Sequence, residues 1–503
     1  MEPQAVHAEL WGWIWLLCFV TVVIGLGFYG MTKTKTEEDF AVARRSYGPV
    51  ILAFCLASTV ASGSTYMGIP GLAYSKGFPA IWYPATYPIG IYGGLILCLR
   101  LLKRAGDRFR SNSIPEFLGQ RYGSDFLRVA FALLTLLLIY YITAQIVAAA
   151  TMFQVILGLG YQGGIVLTVA VVTLYITLGG SHADILTDSF QGVLMVIIAL
   201  VIAAVFFLGV GLQDTGPAAV NTALVAQDPS LGWDQYFAVG DPIFDNLLLV
   251  ILMVIAHLPF VMTPHIGNKV FALKEPRQLR TLLLLAIPVG TILSLPVLGG
   301  LHARALLGPD IRPDAAIPLL FQEIFPGPLA GFLGIAILAA IMSTTDGLFV
   351  TLAVVFSNDL YRRTLAPRIH SHKSPQEIDR ISLWISRMAT PVVAAVAIYL
   401  AWDPPRFLAV LLWIGMGGIM SGAAGPLLVG SLWRRATRAG AIASFLVGVL
   451  LYASCWLIFD WQNPFGAAGT CVVVGSVVMV VVSLMTRPMS VEQLDRIFQP
   501  TAN

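Results

Sequence analysis

The chain has 503 residues, of which 57% are hydrophobic and only 11% are charged, and its formal net charge is +3. A soluble protein usually carries about 25% charged residues, so the composition excludes a water-soluble enzyme of this size. The small net charge, with no basic cluster interleaved with aromatic residues, argues against nucleic acid as a partner. The composition predicts an all-α integral membrane protein.

Thirteen apolar stretches are long enough to cross a bilayer, for which a helix needs about 20 mostly apolar residues. They lie at 11–30, 49–70, 79–101, 127–157, 163–178, 185–211, 242–267, 279–302, 328–360, 381–402, 406–432, 439–459 and 466–486. The first is preceded by Glu2, His7 and Glu9 rather than by Lys or Arg. It therefore lacks the basic start of a secretory signal peptide and is predicted to be a membrane span.

The positions of Lys and Arg predict the orientation, because cytoplasmic loops are enriched in these residues. With the N-terminus outside, thirteen crossings place the C-terminus and all but four of the 30 Lys and Arg residues on the cytoplasmic side. The four exceptions are Lys76, Arg304, Arg312 and Arg406. No Lys or Arg is expected at mid-membrane depth, and Lys269 is assigned to the cytoplasmic side. The pattern predicts a multi-pass protein of the cell (inner) membrane with the lipid bilayer as a partner.

Two of the predicted spans are interrupted. In the first, small and hydroxyl-bearing residues at 57–65 precede Pro70-Gly71, and in the second His257-Leu258-Pro259 precedes Thr263-Pro264-His265. Irregular backbone in a membrane survives only where it is buried or lines a cavity. Five spans begin at each break, and the two sets have opposite orientation, which is typical of an inverted-repeat secondary transporter.

The predicted organisation has five parts. Two five-helix units lie at 49–211 and 242–432, joined by an outer loop at 212–241. Segment 1–48 adds one N-terminal helix and a cytoplasmic loop, and segment 433–503 adds two C-terminal helices and a short cytoplasmic tail.

A polar run interrupts the apolar ninth span at Ser343-Thr344-Thr345-Asp346. An acid within a membrane helix is costly and normally faces a cavity or a partner. The hydroxyl oxygens can bind a hard monovalent cation, and carbonyls freed near Ser58 and Ala61 can complete its shell. The alternative is that these hydroxyls hydrogen-bond back to their own helix.

Several motifs resemble those of the sodium:solute symporter family, from about residue 40 to 440. The matching segments are Ala340-Ile341-Met342-Ser343-Thr344 with Asn358-Asp359-Leu360-Tyr361, Gly179-Gly180 with Thr187-Asp188 and Gln191, Met67-Gly68-Ile69-Pro70-Gly71, Pro264-His265, and Pro313-Asp314 through Pro318. The family is similar in fold to LeuT-type carriers. The resemblance therefore implies a LeuT-like 5+5 inverted repeat and Na+ as the coupling ion.

The resemblance also implies where the ion binds. Its sodium site would use the backbone carbonyls of Ser58, Ala61 and Ala340 and the hydroxyls of Ser343 and Thr344. Asp188 matches an acid linked to sodium release toward the cytoplasm, and capping of the following helix is a compatible alternative. Asp346 stands where some members have a serine that helps to bind a second sodium. Binding of a second cation, proton exchange and simple hydrogen bonding all remain open for Asp346.

The same resemblance places the solute beside the two broken helices. The candidate residues are Ser62, Ser64, Thr65, Trp82, Tyr83, Tyr87, Tyr141, Gln145, His257, Phe260 and Trp413. Trp82 and Tyr83 have an alternative interpretation as an interfacial aromatic belt, Trp413 as a helix-packing residue and His257 as a structural hydrogen-bonding residue.

Departures from the family's patterns make proline and hexose less favoured solutes. Ala256 and Phe260 stand where the proline carriers have Trp and Tyr, and Thr65 and Pro84 stand where a sugar carrier has Gln and Glu. The segments around Ser62–Gly71 and Ser343–Asp346 look nearest the pantothenate and monocarboxylate branches. We expect a small organic acid, bound by half-helix N-termini, hydroxyls, His257 or the cation, because no Lys or Arg is expected in the pocket.

The sequence favours transport over two other classes of function. A membrane solute sensor with a transporter-like domain would need a separate signalling partner, because only 18 residues follow Met485. A membrane enzyme is not supported, since the sequence lacks HExxH, GxSxG or a clustered His/Asp set. Nothing in the sequence indicates the oligomeric state.

Overall fold

Long apolar helices make up most of the described chain. The computed structural model describes residues 3–403 and 408–498, and within these ranges the only β-structure is an isolated bridge between Tyr47 and Leu273. The all-α prediction is confirmed. Arg406, which the charge pattern assigns to the outer side, lies outside the described residues.

The helices are numbered here in chain order. They are α1 (Pro3–Lys33), α2 (Glu37–Val42), α3 (Pro49–Val60), α4 (Ser64–Lys76), α5 (Trp82–Phe109), α6 (Ile114–Tyr122), α7 (Asp125–Thr135), α8 (Leu138–Leu157), α9 (Tyr161–Leu208), α10 (Pro217–Gln227), α11 (Leu247–His257), α12 (Pro264–Ala272), α13 (Leu279–Ile292), α14 (Val297–Leu307), α15 (Ala316–Ile324), α16 (Gly327–Val354), α17 (Pro375–Ala401), α18 (Leu408–Ala423), α19 (Arg438–Leu457), α20 (Pro464–Met485) and α21 (Val491–Phe498). Wider π turns extend α16 over Val355–Leu365 and α18 over Ala424–Val429.

The described part of the chain contains ten helical stretches long and apolar enough to cross a membrane, and up to twelve if each bent pair forms one span. The bent pairs are α3 with α4, at 59°, and α11 with α12, at 52°. Helix α9 has 48 residues and is interrupted at Gly180, whose φ is 50° and ψ is −139°. At 1.5 Å per residue it is about 72 Å long, roughly twice the hydrocarbon thickness. Counting the two parts of α9 as separate spans would give the thirteen predicted spans, but this number stays a prediction.

The two bent pairs run in opposite directions. The segment that leads into α3 pairs with the end of α12, because Tyr47 N donates to Ala272 O at 3.0 Å and Lys274 N donates to Tyr47 O at 3.0 Å. The chain therefore enters the first bent pair at the end of the bundle where it leaves the second. This antiparallel arrangement agrees with the predicted opposite orientations, whereas the exact division into units at 49–211 and 242–432 stays a prediction.

Helix α16 is the centre of the bundle. Its most apolar 18-residue window is completely buried, whereas the corresponding window of α1 is 28% buried. It packs against α8 and α9 and is also contacted by α1 and α3. A polar side chain on α16 is consequently shielded from lipid and can only face another part of the protein.

A polar network closes the basic end of the bundle, which is the end predicted to be cytoplasmic. The buried Glu37 carboxylate on α2 accepts hydrogen bonds from Asn112 Nδ2 at 2.7 Å and from Arg362 Nη1 at 2.8 Å. Burial raises the pKa of Glu37 to about 7, although the Arg362 guanidinium acts in the opposite direction. Next to it, hydrogen bonds from Arg110 and Arg44 outweigh burial and lower the pKa of Glu38.

Glu37 makes the stability of the fold depend on pH. Its folded-state pKa lies above the ordinary value of 4.5, so the folded state binds more protons and its free energy of unfolding falls as the pH rises from about 5 to 7. Glu37→Gln is expected to flatten this slope, which for one group cannot exceed about 1.4 kcal/mol per pH unit. Thermal unfolding of the purified protein across this range measures it. Glu38→Gln is the matched control and should leave the slope unchanged; equal slopes in wild type and Glu37→Gln would contradict the assignment.

Candidate ion and solute site

The break between α3 and α4 exposes backbone groups in the middle of the bundle. Helix α3 ends at Val60, Ala61 is extended with φ −85° and ψ 98°, and α4 begins at Ser64. The carbonyl of Val60 accepts a hydrogen bond from Tyr87 Oη at 2.6 Å, and Gly63 N donates to Gln145 Oε1 at 3.0 Å. A Cβ at Gly63 would come within 2.8 Å of Ile341, so only glycine allows this approach to α16.

Hydroxyls of α16 meet carbonyls of α3 directly before the break. Ser343 Oγ lies 3.0 Å from Ser58 O and 3.1 Å from Ala340 O, and Thr344 Oγ1 lies 3.1 Å from Thr59 O. We refer to these five residues as the hydroxyl cluster. Every member is fully buried, and the cluster offers only oxygen atoms, which hard cations prefer as ligands.

The structure brings together four of the five residues predicted to bind sodium. Ser58, Ala340, Ser343 and Thr344 are in contact, and Thr59 adds a carbonyl oxygen that sequence reasoning did not single out. Ala61 lies two residues further on, where its N–H donates to Ala57 O at 3.0 Å. Among the described residues, no hydrogen bond joins its carbonyl to the hydroxyl cluster.

A lysine–aspartate cluster lies beside the hydroxyl cluster. Lys269 Nζ is 2.9 Å from Asp184 Oδ1 and 2.5 Å from Asp188 Oδ2. Asp184 and Asp188 are four residues apart on α9 and therefore share one face of the helix. All three side chains are at most 4% exposed. The assignment of Lys269 to the cytoplasmic side stays a prediction, but the expectation that no Lys or Arg lies at the site is corrected here, because its ammonium group is buried next to the predicted ion site.

Two adjacent residues of α3 connect the clusters. Thr59 uses its carbonyl toward Thr344, while its hydroxyl lies 2.6 Å from Asp188 Oδ2 and accepts from Lys269 Nζ at 2.7 Å. Ser58 Oγ donates to the backbone carbonyl of Asp188 at 2.9 Å. The two carboxylates and one ammonium group of the lysine–aspartate cluster sum to a formal charge of −1. A monovalent cation in the hydroxyl cluster would lie close enough to compensate this charge.

Asp346 is fully buried and is held by α9. Tyr175 Oη donates to Asp346 Oδ1 at 2.6 Å, and Thr187 Oγ1 lies 3.2 Å from Asp346 Oδ2. Both carboxylate oxygens therefore have a hydroxyl neighbour from the helix that also carries Asp184 and Asp188. This geometry matches simple hydrogen bonding by Asp346. It does not decide between that role, binding of a second cation and proton exchange.

An aromatic cluster surrounds His257 at the end of α11. The ring centres of Tyr87, Trp413, Phe465, Tyr83 and Phe260 lie 5.4, 5.7, 5.7, 5.9 and 6.0 Å from that of His257. His257 Nδ1 is 2.7 Å from Met253 O, whereas Nε2 is buried with no hydrogen-bond partner among the described residues. Gly90 allows α5 to approach, because a Cβ there would lie 2.5 Å from the Cβ of His257.

A second buried histidine links this cluster to α8. His265, the first residue after Pro264 in α12, lies with its ring centre 6.4 Å from Phe260 and 6.0 Å from Tyr141. Neither of its ring nitrogens has a hydrogen-bond partner in the described part of the chain. Buried polar atoms are normally hydrogen-bonded, so unpartnered nitrogens on both histidines need an explanation.

The other solute candidates divide into two groups. Ser62, Thr65 and Gln145 are buried at or beside the break, and Ser64 is partly buried there with its N–H donating to Ser62 Oγ at 3.2 Å. Trp82 is separate from them: its indole N–H donates to Tyr236 O at 2.8 Å, and its ring stacks on Phe237. The structure thus places Trp82 against the loop after α10 and not in the aromatic cluster.

Sequence reasoning missed Asp184, Lys269, His265 and Phe465. The spacing of Asp184 and Asp188 was a usable signal, because acids four residues apart in a span share one face. Phe465 is the second residue of α20, a helix expected to lie outside the two repeats, and its ring centre is 4.5 Å from that of Trp413. No local pattern predicts that the last spanning helix reaches the aromatic cluster.

Comparison with known proteins identifies relatives along nearly the whole chain. The model of the "Sodium:solute symporter family" matches residues 40–448. The sodium/pantothenate symporter of Escherichia coli (strain K12) is 29% identical over 460 residues, which cover 87% of this chain and 89% of the relative. The sodium/proline symporter 2 of Staphylococcus saprophyticus is 26% identical over 486 residues, which cover 92% of this chain and 88% of the relative.

A solved structure has the same fold. A substrate-bound, outward-open Na+-coupled sialic acid symporter superimposes with a TM-score of 0.78 at 17% identity, covering 95% of this chain and 98% of that one. The similarity confirms the LeuT-like fold that the sequence motifs implied.

Proposed function

The chain belongs to the sodium:solute symporter family and is a membrane transporter with sodium as its coupling ion, and from this premise we propose that its solute is a small organic acid such as pantothenate or a monocarboxylate. The observation that carries the proposal is the pair of buried histidines, His257 and His265, with unpartnered ring nitrogens. His265 can donate an N–H from either ring nitrogen to a carboxylate, whereas His257, whose Nδ1–H donates to Met253 O, can do so through Nε2 only as the imidazolium. Such charge-assisted bonds are the stronger ones. The pantothenate symporter among its relatives points to the same class of solute.

Sodium binds, in this proposal, at the hydroxyl cluster. Ser58 and Ala340 contribute carbonyl oxygens, Ser343 and Thr344 contribute hydroxyl oxygens, and Ala61 joins them when the break between α3 and α4 adjusts around the ion. Support comes from the carbonyl and hydroxyl oxygens that these residues bring together and from the formal charge of −1 on the lysine–aspartate cluster next to them. Sodium then leaves toward the basic end past Asp188.

Ion and solute are coupled, in this proposal, because both bind at the break between α3 and α4. Ser58 and Thr59 belong to the hydroxyl cluster, and the next carbonyl, that of Val60, accepts from Tyr87 Oη. On the other side of the break, Gly63 N donates to Gln145 Oε1. Sodium can drive transport only if it binds the outward-facing, solute-ready conformation better than the inward-facing one. A bound ion that orders the backbone between α3 and α4 would also position residues 62–65 for contact with the solute. We place this cycle in the cell (inner) membrane, with the N-terminus outside and the C-terminus in the cytoplasm.

The chemical class of the solute can be tested by substitution and by choice of ligand. His257→Phe and His265→Phe keep an aromatic ring but remove the N–H groups, and each is expected to weaken uptake of the carboxylate solute at least tenfold, since hydrogen bonds to charged groups contribute about 1.5–3 kcal/mol. The readout is the concentration of solute that gives half-maximal sodium-driven uptake into proteoliposomes, with pantothenate, lactate, acetate, pyruvate and proline as the panel.

A neutral analogue provides the control for this test. Pantothenol carries an alcohol in place of the carboxylate of pantothenate, so it should compete poorly with any acid that the panel identifies. If pantothenate competes, equal competition by pantothenol would contradict the organic-acid proposal, and so would uptake of proline alone. Binding of the solute without any uptake would instead favour the sensor alternative.

A further inference from the structure

We propose that the basic end of the two last spanning helices holds a binding site for an anionic phospholipid, with its phosphate in a cavity between α19, α20 and the loop after α6. The cavity has a volume of about 530 Å³. Its lining includes Arg438 at the start of α19, Arg487 just after α20, and the hydroxyl-bearing Thr437 and Thr486. No acidic residue belongs to this lining.

Two arginines supply the charge of the cavity lining. Arg438 and Arg487 are exposed and form no ion pair within the part of the chain that the structure describes. The two acids on the neighbouring α21 are already paired, Asp495 with Arg434 and Glu492 with Arg496. An anion entering the cavity therefore meets two free guanidinium groups.

A third arginine borders the same loop. Arg435 Nη2 donates to the carbonyl of Thr486 at 2.8 Å, while its Nη1 is buried without a hydrogen-bond partner among the described residues. A buried guanidinium nitrogen that lacks an acceptor indicates that a group absent from the protein chain can satisfy it. Through Nη2, Arg435 contacts Thr486, which itself lines the cavity.

Backbone groups add to the attraction for phosphate. Thr437 caps the 20-residue helix α19 by accepting from Gly440 N at 3.1 Å, and its hydroxyl lies 2.8 Å from that of Thr486. The N–H groups of the first two residues of a helix have no partner inside the helix. In α19 these belong to Arg438 and Ala439, both of which line the cavity.

The apolar surface next to the cavity selects a lipid over a free anion. Ile442 lines the cavity, and Leu446 and Leu450 follow it at intervals of four residues along the same face of α19. Leu446 is 39% exposed and Leu450 is 64% exposed. A basic cavity that continues into a lipid-facing row of leucines fits a phosphate headgroup with its acyl chains, as do basic pockets between membrane helices in general.

Lipid binding by the purified full-length protein tests the proposal. Phosphatidylglycerol added in detergent is expected to raise the unfolding temperature and to remain bound in native mass spectrometry, whereas phosphatidylcholine should do neither. Arg438→Gln with Arg487→Gln should weaken phosphatidylglycerol binding about tenfold, because each surface basic residue contributes appreciably to attraction for anionic lipid. The matched control is Arg368→Gln with Arg380→Gln, which removes two exposed arginines from the same end of the bundle.

Three outcomes would overturn the proposal. The first is equal loss of phosphatidylglycerol in the control pair, which would indicate nonspecific attraction. The second is equal binding of the two lipids. The third is displacement of phosphatidylglycerol by millimolar inorganic phosphate, which would indicate a site for free anions. If the double variant does not fold, Arg487→Gln alone, on the exposed turn after α20, serves the same comparison.

Discussion

Replacing Ser343 and Thr344 together by alanine is expected to raise the sodium concentration for half-maximal uptake at least tenfold, which corresponds to about 1.4 kcal/mol. The two hydroxyls are the only side-chain ligands in the proposed sodium site, and they meet the carbonyls of Ser58 and Thr59 at 3.0 and 3.1 Å. Without them the carbonyls of α3 lose their link to α16, and the ion loses two oxygen ligands. Sodium titration of solute uptake into proteoliposomes measures the effect.

The next residue of α16 provides the matched control. Thr345 Oγ1 donates to Ile341 O at 2.7 Å within its own helix and is also buried. Thr345→Ala removes the same group from the same helix turn, yet it should leave the sodium dependence within twofold of wild type. An unchanged sodium titration in the Ser343/Thr344 double variant, with transport intact, would refute the site.

Replacing Lys269 by methionine is expected to be the most destabilising single substitution at the site. It leaves Asp184 and Asp188 buried without their counter-ion, and breaking a buried ion pair by removing one partner costs about 3–5 kcal/mol. The expected result is little monodisperse protein after extraction and a lower unfolding temperature for what remains. Fluorescence-detected size-exclusion chromatography after a heating series measures both.

Two further variants separate charge from packing in this result. Lys269→Met combined with Asp184→Asn restores the formal charge of −1 and should recover most of the lost stability. Lys274→Met removes an exposed lysine five residues away and should behave as wild type. If Lys269→Met unfolds at the wild-type temperature, or if the compensating Asp184→Asn change brings no recovery, the lysine–aspartate cluster does not have the role given to it here.

The membrane spans and their two breaks could be predicted because each follows from one physical rule. Apolar length predicts the spans, and the structure has helices at each of the predicted stretches within the described residues. Proline, glycine and hydroxyl-bearing residues marked the two breaks, which occur between Val60 and Ser64 and between His257 and Pro264. These features are local in sequence, and lipid leaves few alternatives to a helix.

The parts that could not be predicted depend on contacts between distant segments. Lys269 lies near a predicted boundary, where a basic residue normally faces the cytoplasm; only the packing of α12 against α3 and α9 brings it to Asp184 and Asp188. Trp82 and Tyr83 are adjacent in sequence, but Tyr83 contacts His257 and Trp82 contacts the loop at Tyr236. Neither hydropathy nor spacing distinguishes such neighbours.

The coupling of solute to sodium is tested most directly by accumulation in proteoliposomes. The purified protein is reconstituted, an inward gradient of Na+ or of K+ is imposed, and labelled solutes of the panel are followed over time. The account predicts that one organic acid rises inside above its outside concentration only with the Na+ gradient, and that dissipating this gradient releases it. Equal accumulation with the K+ gradient would contradict it.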